Sequence, residues 1–349
     1  MPSSTSSSKT GWFITALLLP VSLVLFFLIG ETYLRLSLFG PEAVIHFNDY
    51  LPAIIQHPAC RVERDQHTLT GLKANSTGML KGRPFQTNRF GFRDLDRPLR
   101  KTPGTVRILV CGASIGMGAG IGQEETYPRV LEHLLNGSGG SGRYEVINLS
   151  MANFNIDRMF HALKTYGLQF EPDILLLEGQ DYYRWSVYVR NYPYPKVLGK
   201  GVWETAITDP ASVSFFYQAI HNDFLPRMKK SDSLQGGGSF LTQEEIKNAL
   251  RGIQELAGGR KVFMIDLFPI SSSILYDATP DKDVVKRFAA AHGFEYIGID
   301  LQRIGSGIKD RVLYAGDRHP NQKANLIIAQ TVYEALEPIL RSKPETDTT

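Results

Sequence analysis

The sequence predicts an α/β protein, a three-layer α/β/α sandwich with a mostly parallel sheet, preceded by one transmembrane helix. From Val106 onward, short apolar runs alternate with segments of helical spacing, which is typical of strand–helix–strand units. Runs such as 174–177 are apolar at every position, and this suits parallel strands that are covered on both faces. The chain of 349 residues is 43% hydrophobic and can bury a large core. Reactive groups are expected beyond the carboxyl ends of the strands.

The amino terminus predicts a membrane anchor. Residues 1–10 are rich in serine and are expected to form a disordered tail. Residues 11–36 are predicted to span the membrane, because no charge lies between Lys9 and Glu31 and such a run can cross a core of roughly 30 Å. A cleaved signal peptide is the alternative, although the apolar run is longer than a usual signal core and lacks a clear cleavage site. Lys9 favours a tail that stays inside, so the large domain is predicted to be extracytoplasmic, in the periplasm or at the cell exterior.

The rest of the chain divides into a collar, a catalytic domain and a polar tail. Residues 37–105 contain few long periodic segments and are predicted to be a collar or linker between the membrane and a domain at 106–340. Residues 341–349 are expected to be a disordered tail. Strands are predicted at 106–111, 144–149, 173–178, 261–267 and 294–299. Helices are predicted at 125–136, 156–169, 242–257, 282–292 and 321–340.

An aromatic-rich insertion at about 182–241 interrupts the alternation of strands and helices. It opens with the stretch 182–194, which contains five tyrosines and a tryptophan directly after a predicted strand. A lid or substrate platform is one interpretation, since aromatic rings stack on sugars and line acyl pockets. An insertion that packs its own small core, or packs against the membrane, is an equally weighted alternative.

One serine directly follows the first strand of the predicted domain. Gly112-Ala113-Ser114 comes after the apolar run 107–111, and a glycine-rich turn and a helix follow it. A tight turn between strand and helix exposes a serine Oγ and can aim backbone N–H groups at a developing oxyanion. Serines also cap helices and fill turns, but the position after a core strand favours a nucleophile.

A candidate base lies about two hundred residues later. Asp317 and His319 stand in the sequence Asp-Arg-His-Pro-Asn, directly before the last predicted helix. A histidine with a nearby carboxylate can activate a serine for acyl chemistry. The alternative is that Asp317 merely caps the last helix and that His319 is a surface histidine.

These segments resemble the SGNH/GDSL hydrolase superfamily, specifically its membrane-anchored bacterial members with a flavodoxin-like sheet. The resemblance begins at Asn88-Arg-Phe-Gly-Phe-Arg93, continues through Gly112-Ala113-Ser114 and Thr126-Tyr-Pro128, and ends with Asp317-Arg-His-Pro-Asn321. It implies Ser114 as nucleophile and His319 as the base oriented by Asp317.

The resemblance also implies an oxyanion hole made by Ser114, Asn153 and Gln180. Asn153 stands where the family usually has a glycine whose N–H is a donor, and Gln180 stands where it usually has an asparagine. Ala113 replaces an aspartate that supports the turn in the family. These replacements motivate the alternative of a catalytically silent SGNH-fold binding or scaffold protein in an envelope polysaccharide system.

The predicted function is therefore that of a membrane-anchored serine esterase or O-acyltransferase. Its expected partners are an ester-bearing carbohydrate, with O-acetyl groups, or a small acyl ester, and the membrane through the N-terminal helix. No cofactor and no metal is implied. The net charge of +3 is too small to indicate a nucleic-acid partner, and none is expected.

Overall fold

The computed structural model describes most of the chain, with gaps. The described residues are 6–52, 60–62, 70–137, 143–152, 154–179, 204, 207, 210, 213–220, 241–267, 283–305, 312–314 and 317–341. The predicted oxyanion residues Asn153 and Gln180 lie outside them. So do most of the aromatic-rich insertion and the carboxyl-terminal tail from residue 342.

The described helices and strands follow one another in a mixed order along the chain. The helices are α1 Ser6–Phe39, α2 Glu42–Ile45, α3 Ser114–Met117, α4 Tyr127–Asn136, α5 Ile156–Thr165, α6 Phe215–Ala219, α7 Gln243–Ala257, α8 Val284–Ala291, α9 Leu301–Ile304 and α10 Gln322–Arg341. The strands are β1 Cys60–Val62, β2 Thr70–Leu72, β3 Thr77–Leu80, β4 Arg83–Gln86, β5 Val106–Cys111, β6 Tyr144–Asn148, β7 Ile174–Gly179, β8 Lys261–Asp266, β9 Glu295–Gly298, β10 Val312–Tyr314 and β11 Asp317–Pro320.

Five parallel strands form the central sheet, in the order β6-β5-β7-β8-β9. This order is the flavodoxin-like one, and the direction of winding reverses between β5 and β7, where ligands bind in such sheets. All five predicted strands lie within one residue of the observed ones. The runs of β5, β7 and β8 are buried along almost their whole length, whereas in the edge strand β9 only Ile297 is buried. The predicted helices also agree within two residues, except that 156–169 ends as an α-helix at Thr165 and continues as a 3₁₀ turn, Gly167–Phe170.

Helices cover the sheet on both faces, which confirms the three-layer sandwich. On one face α5 and α7 pack together, and residues such as Met159 and Ile253 are completely buried. On the other face α4 packs against α10, with Leu131 and Ile328 buried between helix and sheet. Each such aliphatic side chain contributes about 1.5–3 kcal/mol when fully buried, so the two cores hold the sheet firmly.

The N-terminal helix α1 is long and apolar enough to cross a membrane by length and composition. The apolar window Leu18–Phe39 has a mean hydropathy of 1.6, and its side chains are almost all exposed. The helix begins at Ser6, inside the predicted disordered tail, and continues past residue 36 to Phe39. Its greater length has a simple cause, because extending a formed helix by one residue costs little free energy.

The last turns of α1 are attached to the rest of the protein. Arg35 is buried and donates hydrogen bonds to the Ala43 carbonyl at 3.0 Å and the Val213 carbonyl at 3.2 Å. Glu31 accepts hydrogen bonds from Arg35 at 2.6 Å and from the Ser214 hydroxyl at 2.8 Å. The end of the apolar helix is therefore anchored to the start of α6, within the aromatic-rich insertion.

Candidate active site

The turn after β5 carries the predicted nucleophile. Ser114 is the first residue of α3 and is partly exposed, whereas the residues on either side of it are buried. Among the described residues the Ser114 N–H has no hydrogen-bond acceptor, so it is free to face a developing negative charge. Gly118 ends the short helix with φ of 73°, a left-handed conformation that favours glycine. We call residues 112–122 the nucleophile turn.

Glu178, on the neighbouring strand β7, lies directly beneath the nucleophile turn. Its Oε2 accepts the Ala113 N–H at 2.6 Å, and its Oε1 accepts the Tyr127 hydroxyl at 3.1 Å. A Cβ atom at Gly112 would lie only 2.1 Å from Glu178 Cδ, so this close approach requires glycine. Burial raises the pKa of Glu178 to about 7, although hydrogen bonds from Ala113, Tyr127 and the Gly116 N–H act in the opposite direction. Glu178 supports the nucleophile turn in this chain. In the resembled family, an aspartate at the position of Ala113 supports it.

Arg93 supports the same turn from the segment that precedes β5. Its guanidinium is buried and donates to the carbonyls of Met117 at 3.1 Å, Ile121 at 2.6 Å and Gly118. Burial lowers the pKa of Arg93 to about 10, and the charge of Glu125 partly offsets that effect. A buried arginine with several carbonyl acceptors fixes the path of the backbone. The segment 88–93, where the family resemblance begins, therefore has a structural role at the site.

Residues at the end of β6 complete the support. Asn148 donates from Nδ2 to the Gly116 carbonyl at 2.8 Å, and its backbone N–H donates to Asp94 Oδ2 at 3.0 Å. Burial raises the pKa of Asp94 to about 7, partly against the charge of Arg97. The conformation of the nucleophile turn is thus set by side chains from three separate segments of the chain.

Asp317 and His319 meet on a two-stranded antiparallel hairpin, β10 with β11, that we call the histidine hairpin. Asp317 is buried, and its Oδ1 lies 2.5 Å from His319 Nδ1 and accepts the His319 backbone N–H at 3.0 Å. The imidazole is 29% exposed, so Nε2 can meet a proton donor. A carboxylate on Nδ1 fixes the tautomer in which Nε2 is the free base. The expected Asp–His pair is formed.

The second oxygen of Asp317 is bonded to a residue from the predicted collar. Lys81 Nζ donates to Asp317 Oδ2, and both side chains are buried. Burial alone would raise the pKa of Asp317, but the charges and hydrogen bonds of Lys81 and His319 hold it well below its ordinary value. Asp317 is therefore a carboxylate at every physiological pH.

The nucleophile turn and the histidine hairpin lie beside each other. Residues of α3 and β11 approach within 8 Å, measured between Cα atoms. No hydrogen bond joins Ser114 Oγ to His319 in the described part of the chain. In enzymes without substrate this bond is often long, and it forms in the complex with substrate.

Two asparagines near the histidine hairpin have structural roles. Asn321 Oδ1 accepts the Ala324 N–H at 2.9 Å and so caps α10, which means that Asp317 is not the cap. Asn325 is buried and bridges the two halves of the site. Its Nδ2 donates to the Pro320 carbonyl at 3.1 Å, and its Oδ1 accepts the Tyr127 N–H at 3.1 Å.

Glu178, Lys81 and Asn325 belong to the site but were not predicted from the sequence. Glu178 offered a signal, since a charged residue at the end of a fully apolar strand needs a buried partner. Nothing in the sequence around Lys81 or Asn325 indicated which residues they contact. Among the described residues no group of three or more His, Cys, Asp or Glu side chains could hold a metal ion.

No family model and no curated protein matches the chain, but solved structures do. The psychrotrophic esterase EstA from Pseudoalteromonas sp. is 13% identical and covers 68% of this chain and 99% of its own, with a TM-score of 0.41. A member of the lipolytic protein G-D-S-L family from Veillonella parvula is 13% identical and covers 67% and 99%, with a TM-score of 0.38. A carbohydrate esterase family 2 enzyme from Corynascus thermopiles is 12% identical and covers 70% and 69%, with a TM-score of 0.41. At this level of similarity the reaction has to be inferred from the geometry of the site.

Proposed function

We propose that the protein is a serine esterase or O-acyltransferase, anchored in the membrane by α1, that acts on ester groups of an extracytoplasmic glycan. The observation that carries the chemistry is the Asp317–His319 pair at 2.5 Å on a hairpin beside the Ser114 turn. A serine on a strand–helix turn, a histidine and a buried carboxylate together form the arrangement that activates a hydroxyl for attack on an ester.

The first step forms an acyl-enzyme. Ser114 Oγ attacks the ester carbonyl carbon, and its proton passes to His319 Nε2. Asp317 stays ionised and stabilises the imidazolium through Nδ1. The C–O bond to the alcohol then breaks, and Nε2 returns the proton to the leaving alcohol oxygen.

The second step releases the acyl group. Water or a sugar hydroxyl gives its proton to His319 Nε2 and attacks the acyl carbon. The bond between the acyl carbon and Ser114 Oγ then breaks, and His319 Nε2 returns the proton to Ser114 Oγ. Water as acceptor yields hydrolysis, and a sugar hydroxyl yields transfer. In both steps the Ser114 N–H is positioned to donate to the oxyanion, with Asn153 and Gln180 as the further donors that the resemblance implies. One such donor contributes about 2.7–4 kcal/mol to catalysis.

The proposed membrane anchor is supported by the sequence and by the position of α1. The apolar helix is continuous to Phe39 and is tied to the domain through Arg35, so the catalytic unit is held close to the membrane surface. Amino-terminal sequencing of the membrane-extracted protein tests the anchor, and an N-terminus beyond residue 20 would indicate a cleaved signal peptide instead. Protease accessibility in intact cells tests the extracytoplasmic location.

The activity is tested on the full chain in detergent micelles with a fluorophosphonate probe and with p-nitrophenyl acetate. We expect the wild type to be labelled and active, and Ser114→Ala and His319→Ala to lose both properties. Matched controls are Ser76→Ala, on an exposed turn, and His133→Ala, whose side chain is 63% exposed and lies on α4. Labelling that survives Ser114→Ala would refute the nucleophile.

A silent binding or scaffold protein is the second candidate. The observation that favours it is the lack of a hydrogen bond between Ser114 Oγ and His319 in the described residues. A folded wild type that neither reacts with the probe nor releases acetate from an O-acetylated polysaccharide would support this function. Binding of the same polysaccharide without release of acetate would then identify its role.

A further inference from the structure

Lys81 occupies a position that its turn alone would not select. It forms with Gly82 the two-residue turn between the paired residues Leu80 and Arg83 of the β3–β4 hairpin. Both turn residues have positive φ, 49° for Lys81 and 73° for Gly82, as a type I′ turn requires. Asparagine, aspartate and glycine are the residues that adopt this conformation readily at the first position, and lysine is not among them.

The side chain of Lys81 is also buried, which is rare for lysine unless it is paired. Its exposed fraction is 5%, and its ammonium donates to Asp317 Oδ2. Its stem passes the nucleophile turn, since a Cβ atom at Gly120 would lie 3.4 Å from Lys81 Cδ. A lysine that is both strained in its backbone and desolvated in its side chain points to a function at the place where it ends.

We propose that Lys81 is a positioning residue of the active site, whose ammonium fixes the Asp317 carboxylate against His319 and offsets its negative charge. The inference rests on the proposed function, because it assigns Lys81 a part in the activation of Ser114. The two oxygens of Asp317 have separate partners, with His319 Nδ1 on Oδ1 and Lys81 Nζ on Oδ2. The carboxylate therefore cannot rotate without breaking both contacts.

The charge of Lys81 determines how strongly Asp317 holds a proton on the imidazole. Among the described residues, the charged groups that act on Asp317 are Lys81 and His319. With Lys81 present, the imidazole faces a carboxylate whose charge is balanced from the other side. Without Lys81 it would face an uncompensated buried carboxylate, which favours the imidazolium. The base is therefore available at lower pH in the native protein than in a variant without the lysine charge.

The test compares the full chain in detergent with Lys81→Met, Lys81→Gln and Lys81→Arg. The rate of fluorophosphonate labelling is measured from about pH 5 to about pH 9, the range in which a histidine base titrates. We expect Lys81→Met and Lys81→Gln to move the acid limb upward by about one pH unit, so that labelling on that limb is about tenfold slower. Lys81→Arg, which keeps the charge, is expected to restore a profile close to that of the wild type.

The control is Lys101→Met, which removes another Lys–Asp pair, at the end of the strands opposite to the nucleophile turn. Lys101 lies 2.8 Å from Asp173, and both side chains are partly buried. This variant is expected to leave the acid limb in place. If Lys81→Met does not fold, the test uses Lys81→Gln, which keeps part of the stem and a hydrogen-bond donor one bond closer to the backbone. An unchanged acid limb in a folded variant, even with lower thermal stability, would overturn the inference and leave Lys81 a merely structural residue.

A second measurement separates this inference from the proposed function. The His319 imidazole resonance, assigned by its loss in His319→Ala, is titrated by NMR in the wild type and in Lys81→Gln. We expect the variant to hold its proton to higher pH by about one unit. A wild type without labelling would refute the esterase proposal, yet this titration would still decide the effect of Lys81. Identical titrations would refute the inference whether or not the protein is an enzyme.

Discussion

The nucleophile turn and the histidine hairpin are held in place by different kinds of interaction. Buried hydrogen bonds fix the nucleophile turn, and they come from Arg93, from Glu178 and from Asn148. The histidine hairpin has only two short, irregularly paired strands, and Asp317 is its buried ionised residue, with Lys81 as the counter-ion. Buried hydrogen bonds thus hold the nucleophile turn in place, and a buried ion pair holds the histidine hairpin in place.

Because of this difference, substitutions in the nucleophile turn and in the histidine hairpin should have different effects. Removing a support of the nucleophile turn leaves buried polar groups without partners, which lowers the stability of the whole domain. In the proposed mechanism, altering the partly exposed end of the histidine hairpin would change proton transfer while the fold remains. The predictions that follow range from the largest expected loss of stability to the smallest.

Arg93→Met is expected to have the largest effect on stability. It removes a buried guanidinium from the carbonyls of Met117, Gly118 and Ile121. The Gly118 carbonyl keeps the Ile121 N–H, and each of the other two buried carbonyls left unpaired costs about 1–3 kcal/mol. We expect a loss of about 4 kcal/mol or more in the free energy of unfolding, measured by urea denaturation in detergent. Arg89→Met, in the same segment but with a side chain that is 41% exposed, should change it by about 0.5 kcal/mol or less. Equal effects of the two variants would contradict the role of Arg93.

Glu178→Gln is expected to change how stability depends on pH. The folded state raises the pKa of Glu178 from 4.5 to about 7, so between these values the folded chain keeps a proton that the unfolded chain releases. Wild-type stability should therefore fall as the pH rises through that window, by about 3 kcal/mol at about 1.36 kcal/mol per pKa unit. Glutamine cannot ionise, so this part of the fall disappears in the variant.

The comparison of wild type and variant is needed because a second group titrates in the same window. The pKa of Asp94 is also raised to about 7, so the slope of Glu178→Gln should be reduced without reaching zero. Thermal unfolding measured at several pH values in one detergent checks this prediction. Parallel slopes for the two proteins would show that Glu178 does not hold its proton in the native state.

The sheet could be predicted, and the candidate reacting residues could be named, because their signals are local. Each central strand is a short apolar run, and Ser114, Asp317 and His319 stand in recognisable sequence contexts. The support of the site could not be predicted in the same way. Lys81 and Asp317 are 236 residues apart, and a Lys-Gly pair between two short strands looks like an ordinary exposed turn.

The range 37–105 illustrates the same limit. Its strands are three or four residues long and carry little periodicity. For that reason the sequence predicts a collar or linker there, apart from the catalytic domain. The structure places Arg93 against the nucleophile turn and Lys81 against Asp317. Burial of these charges depends on tertiary contacts, and composition carries no information about them. Only Glu178, a charge in an apolar strand, left a signal in the sequence itself.

Asn325→Ala tests the connection between the two halves and is expected to have an intermediate effect. The side chain accepts the Tyr127 N–H and donates to the Pro320 carbonyl, and it is buried. Its removal leaves both backbone groups unpaired, so we expect a loss of about 1–3 kcal/mol in the free energy of unfolding. Labelling of Ser114 should slow as well, because the hairpin loses its direct link to α4. Asn248→Ala, an exposed asparagine on α7, is the control. Stability loss without slower labelling would show that the bridge does not align the two halves.

His319→Ala is expected to have the smallest effect on stability and the largest on chemistry. The imidazole is 29% exposed and Asp317 Oδ1 keeps the backbone N–H of residue 319, so the loss of the imidazole should lower the free energy of unfolding by about 1 kcal/mol or less. The Lys81–Asp317 pair remains and keeps the buried carboxylate compensated. Fluorophosphonate labelling of Ser114 should nevertheless disappear, because the proposed base is lost. A large loss of stability would show that the imidazole holds the hairpin together. Both the nucleophile turn and the histidine hairpin would then depend on side-chain hydrogen bonds for their stability.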